Sequence, residues 1–199
     1  MQTEKGKITS IRMLFTVSYV FFFLITINII EVQASKLRLD WMVYILAWYF
    51  IAEFTLFLRN RLGSDVKVTG VFLLTFLLAT IENLLSTVNI YRFGPLVNRV
   101  EHFLGTLIIA YVTTKLYLIL KINKKITVNH VFELLVLSTT IAFGVLNEII
   151  EYFSDTLLGS HHIGSGYDTQ LDLIMNLLGA GVFTIYLLIK KRRFPDRDR

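Results

Sequence analysis

The sequence predicts an all-α, polytopic membrane bundle of about six transmembrane helices with both termini cytoplasmic. Three observations carry this. The chain is 54% hydrophobic with mean hydropathy +0.61, and only 18% of it is charged, against about 25% in soluble domains. It has six apolar stretches near the ~20 residues that a helix needs to cross a bilayer core. Its lysines and arginines gather on alternate connections. There is no cysteine, which excludes disulfides, iron–sulfur clusters and thiolate chemistry. The net charge of +5 belongs to helix ends and gives no reason to expect a nucleic-acid partner.

The six expected spans are 11–30, 41–58, 68–90, 103–120, 128–152 and 171–190. Short spacers make neighbouring helices antiparallel and leave no room for a soluble domain, so 1–199 reads as a single integral membrane domain. The first stretch follows Lys5, Lys7 and Arg12 and precedes Val32-Gln33-Ala34, which mimics a cleavable signal peptide. Its apolar run is longer than the ~7–15 residues of such a segment, so a retained helix is expected. With the N-terminus inside, the inner segments hold fifteen basic residues, from Lys5 to Arg199, and the outer segments four: Lys36, Arg38, Arg92 and Arg99. The tail KKRRFPDRDR then lies inside, near anionic headgroups.

This topology gathers acids on the outer side. Residues 148–176 contain five carboxylates and two histidines with no lysine or arginine. Glu148, Glu151 and Asp155 at i, i+3 and i+7 share one helix face. Asp168, Asp172 and Asn176 at i, i+4 and i+8 share another if the sixth helix starts as early as Asp168. Asn98 and His102 are four apart. Glu82 and Asn83 lie in the outer half of the third span. Ionisable groups inside a span cost at least ~2.5–3.5 kcal/mol and normally face the bundle interior, which makes a functional site the default reading. Glu148, Glu151, Asp168, Asp172 and His102 are therefore the candidate catalytic and metal-ligating residues. Glu82, Asn83, Gln170 and Asn176 are candidate binding residues.

Bland readings stand beside these. Glu148 would serve as helix glue if it hydrogen-bonded Asn83 or Asn147. His161-His162 reads first as a solvated loop pair. Glu53 reads as a helix contact in the inner half of the second span. Gly179 and Gly181, with Ala180, read as small residues at a close helix contact. Glu82 to His102 and Glu148 to Asp168 are both twenty residues apart, the spacing of a duplicated helix pair, although the residues between them match poorly.

Three stretches carry a family resemblance: RVEHF before the fourth span, NEIIEYF ending the fifth and YDTQLDLIMNLLGA opening the sixth. Together they resemble the YjdF-like inner-membrane proteins of bacteria and, more distantly, the VanZ-like group, over roughly residues 70–190. The matching positions are His102, Glu148, Glu151, Asp168, Gln170, Asp172, Gly179 and Ala180. The chain departs from the pattern at Asn98, where an acid is expected. It departs from the VanZ-like pattern at Glu151, where that group has Gln, and in lacking a basic residue before its aspartate. The resemblance implies a multi-pass protein of the bacterial inner membrane and names no reaction.

The residues leave three function classes open. One is a protein that binds or transports a small amphiphile or ion. Another is an intramembrane hydrolase or transferase acting on a lipid-linked substrate. Carboxylate oxygens with a histidine nitrogen would give the second of these a divalent metal cofactor such as Zn²⁺ or Mn²⁺, whereas in the first, buried acids would couple movement to protons or cations. Without a metal, two crowded carboxylates would share a proton. The third class is a structural or accessory membrane protein. No H-E-x-x-H, G-x-S-x-G or P-loop motif selects a reaction. The expected partners are membrane lipid and a second copy of the chain.

Overall fold

The computed structural model describes residues 3–30, 39–88, 95–122, 131–158 and 166–193. These form six helices: α1 Glu4–Thr26, α2 Leu39–Arg61, α3 Thr69–Thr87, α4 Leu96–Ile122, α5 Phe132–Leu158 and α6 Gly166–Arg193. All six contain a segment long and apolar enough to cross a membrane. They divide into two compact units, residues 1–97 and 98–199, with three helices apiece. The division cuts through the first of the two twenty-residue pairs noted above.

In the first unit the ends of the helices explain their bounds. The apolar stretch suggested that the first helix would reach Ile30, but α1 stops at Thr26. Asn28 takes φ 59°, the left-handed conformation that asparagine tolerates better than most residues. The amides of Ile29 and Ile30 fold back onto the Leu24 carbonyl at 2.9 and 3.2 Å. α2 closes on Gly63 at φ 60°, a glycine position, and the Ser64 amide returns to the Arg59 carbonyl at 2.9 Å. The start of α3 lacks a cap of its own. Glu4 of α1 supplies one: its Oε1 accepts from the amides of Val68 at 2.9 Å and Thr69 at 3.3 Å. Its Oε2 lies 3.1 Å from Arg59 Nη1. One carboxylate thus satisfies two otherwise orphaned helix-start donors and ties α1 to the end of α2.

The core of this unit is aromatic. Phe15 packs edge-on against Tyr49 and Phe76, both at 5.2 Å between ring centroids, and Phe22 and Phe72 are buried beside it. Glu53, read from sequence as a helix contact, pairs with Arg12: Nε and Nη2 each reach a carboxylate oxygen at 2.6 Å. The same guanidinium lies 5.7 Å from the centre of the Phe72 ring. A bidentate pair stacked on an aromatic face is the arrangement that arginine, and not lysine, provides.

In the second unit α4, α5 and α6 all outrun their apolar stretches. α4 starts seven residues earlier than hydropathy alone suggested, α5 continues six residues further, and α6 begins at Gly166. The added turns mix polar with apolar residues, and they place Asn98, Arg99, Asp155 and Asp168 on helices. Lower down, Ile119 and Val136 are fully buried. Tyr117 Oη meets Thr139 Oγ1 at 2.7 Å, joining α4 to α5. Large apolar residues such as Leu157, Ile185 and Tyr186 are exposed around this unit, as expected where lipid is the solvent.

Candidate functional site

Two glycines bring the three helices of the second unit close enough to share polar groups. A Cβ at Gly179 would stand 2.6 Å from the Phe103 carbonyl oxygen, so α6 touches the backbone of α4 there. A Cβ at Gly144 would stand 2.9 Å from Asn176 Cβ, which brings α5 against α6. Gly181 has nothing within 4 Å of that position, so of the Gly179/Gly181 pair only Gly179 serves close packing. Gly144 lay outside the sequence reading, although its place one turn before Glu148 on the same face was available as a signal.

The polar stripes meet above these contacts in three layers. The deepest holds Asn176, whose Oδ1 lies 2.7 Å from Thr106 Oγ1 and whose Nδ2 reaches the Gly144 carbonyl at 3.5 Å. The single Thr106 hydroxyl proton is shared between Asn176 Oδ1 and the carbonyl of His102, 2.6 Å away. The middle layer holds His102, Glu148, Asp172 and Glu151. His102 Nδ1 lies 3.3 Å from Glu148 Oε1. Its Nε2 lies 3.7 Å from Asp172 Oδ2 and 3.9 Å from Glu151 Oε1. The upper layer holds Arg99 and Asp168, with Nη2 and Oδ1 3.8 Å apart.

Burial falls along this ladder. The side chains of Asp172, Glu148 and His102 are 4%, 6% and 7% exposed, Glu151 is 14%, and Asp168 and Arg99 are 22% and 28%. Two carboxylates are anchored by amides from their own surroundings. Asn98 Nδ2 donates to Asp172 Oδ2 at 2.9 Å, and Asn147 Nδ2 donates to Glu151 Oε1 at 2.6 Å. Glu148 is different: both of its buried oxygens lack a hydrogen bond, as does Asp172 Oδ1. A buried polar atom left without a partner costs ~1–3 kcal/mol, and more when it is charged. One ligand atom each from His102, Glu148 and Asp172 fall within 4.8 Å of one another. A cation held at ~2.0–2.2 Å from its ligands draws them within at most about 4.4 Å, so sub-ångström side-chain shifts separate this arrangement from a coordination shell.

Among the sequence candidates, the geometry brings together His102, Glu148, Glu151, Asp168, Asp172 and Asn176. It does not bring in Gln170, which is exposed. Glu82 and Asn83 belong to the first unit, where Trp48 Nε1 donates to Glu82 Oε2 at 3.3 Å and Asn83 Nδ2 donates to the Ala79 carbonyl at 2.8 Å. The helix-glue partners considered for Glu148 are therefore otherwise engaged, Asn147 with Glu151 and Asn83 with Ala79. His161 and His162 lie outside the described residues. Sequence reasoning missed Thr106 and Arg99. Thr106 continues the four-residue stripe of Asn98 and His102. In the sequence Arg99 reads only as a topology signal.

The profile of a protein family described as "Predicted membrane protein (DUF2238)" matches residues 12–193. No curated protein and no solved structure matches the chain, and the VanZ-like part of the resemblance therefore gains no support.

Proposed function

We propose that this chain, which belongs to the DUF2238 family of predicted membrane proteins, the YjdF-like family of the resemblance, binds a divalent transition-metal ion inside the membrane. His102, Glu148 and Asp172 are the ligands. The observation that carries this reading is Glu148: an acid 6% exposed, on a membrane-embedded helix, with neither oxygen hydrogen-bonded. A cation between Glu148, Asp172 and His102 supplies the missing partner for both acids at once. Two oxygen donors and one imidazole suit Zn²⁺ or Mn²⁺ better than Mg²⁺ or Ca²⁺, which favour all-oxygen shells. The amide of Asn98 fixes Asp172 from behind, in the manner of groups that orient metal ligands.

The excess of inner lysine and arginine supports an orientation with both termini cytoplasmic. The centre then sits in the outer half of the bacterial inner membrane and opens outward through the Arg99–Asp168 layer. A second reading, hydrolysis or transfer on a lipid-linked substrate, is favoured by one feature. Three protein ligands leave coordination positions open, as catalytic zinc sites do, and the more exposed side chains lie on one side of them.

Elemental analysis of protein purified in detergent without chelator tests the proposal, run beside the Glu148→Gln and Asp172→Asn variants. The expected result is close to one Zn²⁺ or Mn²⁺ per chain in the parent and a loss in both variants that retain helicity. A folded parent that takes up no metal when titrated with micromolar Zn²⁺ or Mn²⁺ overturns it.

A further inference from the structure

We infer that Arg99 and the open side of the bound cation together form a receptor for a phosphate-type oxyanion. The inference rests on the metal reading above and goes beyond it by naming the ligand's chemistry.

Arg99 and His102 are three apart on α4, and Asp168 and Asp172 are four apart on α6, so each pair shares a helix face. The Arg99–Asp168 contact therefore lies one turn above the His102–Asp172 contact, on the same side of the two helices. The guanidinium sits over the mouth of the centre.

Its bonding there is incomplete. Arg99 Nε is buried and makes no hydrogen bond. Its contact with Asp168 is 3.8 Å, longer than a hydrogen bond. Arginine is the residue whose planar fork matches a tetrahedral oxyanion with two parallel donors. A guanidinium satisfied by Asp168 alone would close to ~2.7–2.9 Å.

Cations are scarce at this mouth. Arg99 is the one described lysine or arginine within ion-pair reach of Glu148, Glu151, Asp168 or Asp172. With Glu148 and Asp172 on a divalent cation, Asp168 set against Arg99 and Glu151 held at one oxygen by Asn147, the guanidinium and the open coordination positions face the same space. An anionic oxygen group meets both. A neutral acceptor could meet Arg99 Nε as well, but only an anionic group gives the guanidinium an ion pair and the cation a charged ligand.

Two sources offer this chemistry, a phosphomonoester headgroup in the membrane and free phosphate outside it, and a single experiment separates them. Protein in dodecyl maltoside, which carries no phosphorus, is loaded with Mn²⁺. The ³¹P transverse relaxation of inorganic phosphate, and separately of dihexanoyl phosphatidic acid, is then measured per bound Mn²⁺. Arg99→Gln and Arg99→Lys are run at matched Mn²⁺ occupancy. The expected result is strong ³¹P relaxation in the parent, at least tenfold less at the same ligand concentration in Arg99→Gln, and an intermediate value in Arg99→Lys. Relaxation of phosphatidic acid alone assigns the site to a lipid headgroup; relaxation of both assigns it to the oxyanion itself. Equal relaxation in the parent and Arg99→Gln, or none in a Mn²⁺-loaded parent, overturns the inference while the metal reading stands. A parent that binds no Mn²⁺ overturns both.

Discussion

Asn98, Thr106 and Asn147 show how a neutral amide or hydroxyl makes a buried acid or ligand tolerable. Asn98 holds Asp172, Asn147 holds Glu151, and Thr106 shares its hydroxyl proton between Asn176 and the His102 carbonyl. If Asp172 is a metal ligand, Asn98→Ala should weaken Mn²⁺ or Zn²⁺ affinity about 10–100-fold, the usual cost of losing an orienting partner. The protein should stay folded, and competition with a metallochromic indicator reads the change. Thr106→Val removes an interhelical hydrogen bond without changing shape. Such bonds inside membranes are worth about 0.6 kcal/mol on average and at most about 1.7. The expected outcome is a small drop in detergent unfolding temperature with metal stoichiometry intact.

At the level of helices, small residues and caps decide which faces meet. Gly179 lets α6 rest on the α4 backbone, where an added Cβ would stand 2.6 Å from a carbonyl oxygen that cannot move aside. Gly179→Leu should destabilise the second unit by about 1–3 kcal/mol, the usual cost of overpacking, and lower metal occupancy with it. Gly181→Ala, at a position with open space, should leave both unchanged. Thermal unfolding followed by circular dichroism distinguishes the two. In the first unit, Arg12→Met strands Glu53 without its bidentate partner. Losing a charge-assisted bond costs about 1.5–3 kcal/mol, whereas the double change Arg12→Met with Glu53→Leu should recover most of it, because an apolar pair of similar volume fits a helix interface in lipid.

Across the whole molecule, the lack of cysteine allows orientation to be read one residue at a time. Ser160→Cys, between α5 and α6, should react with a membrane-impermeant maleimide added to intact cells. Arg197→Cys should react only after the membrane is opened. The reverse pattern would invert the proposed topology and turn the acidic mouth toward the cytoplasm.

Hydropathy, length and charge placement are properties of the chain itself, so the six helices and their membrane setting were legible from sequence. Helical periodicity likewise put Glu148 with Glu151, and Asp168 with Asp172 and Asn176, on single faces. The true helix ends were not legible in the same way. The first turns of α4 and α6 and the last turns of α5 at the acidic end carry many polar residues, and hydropathy cannot tell such a helical turn from a loop. Residues from different helices were harder still. Glu82 and Glu148 look alike as acids in apolar spans, yet Glu82 accepts from Trp48 in the first unit while Glu148 stands without a hydrogen bond beside His102 and Asp172. Partner choice depends on which helices a glycine allows to approach and on where each amide is already engaged. Those are facts of packing between distant segments, and only the tertiary structure fixes them.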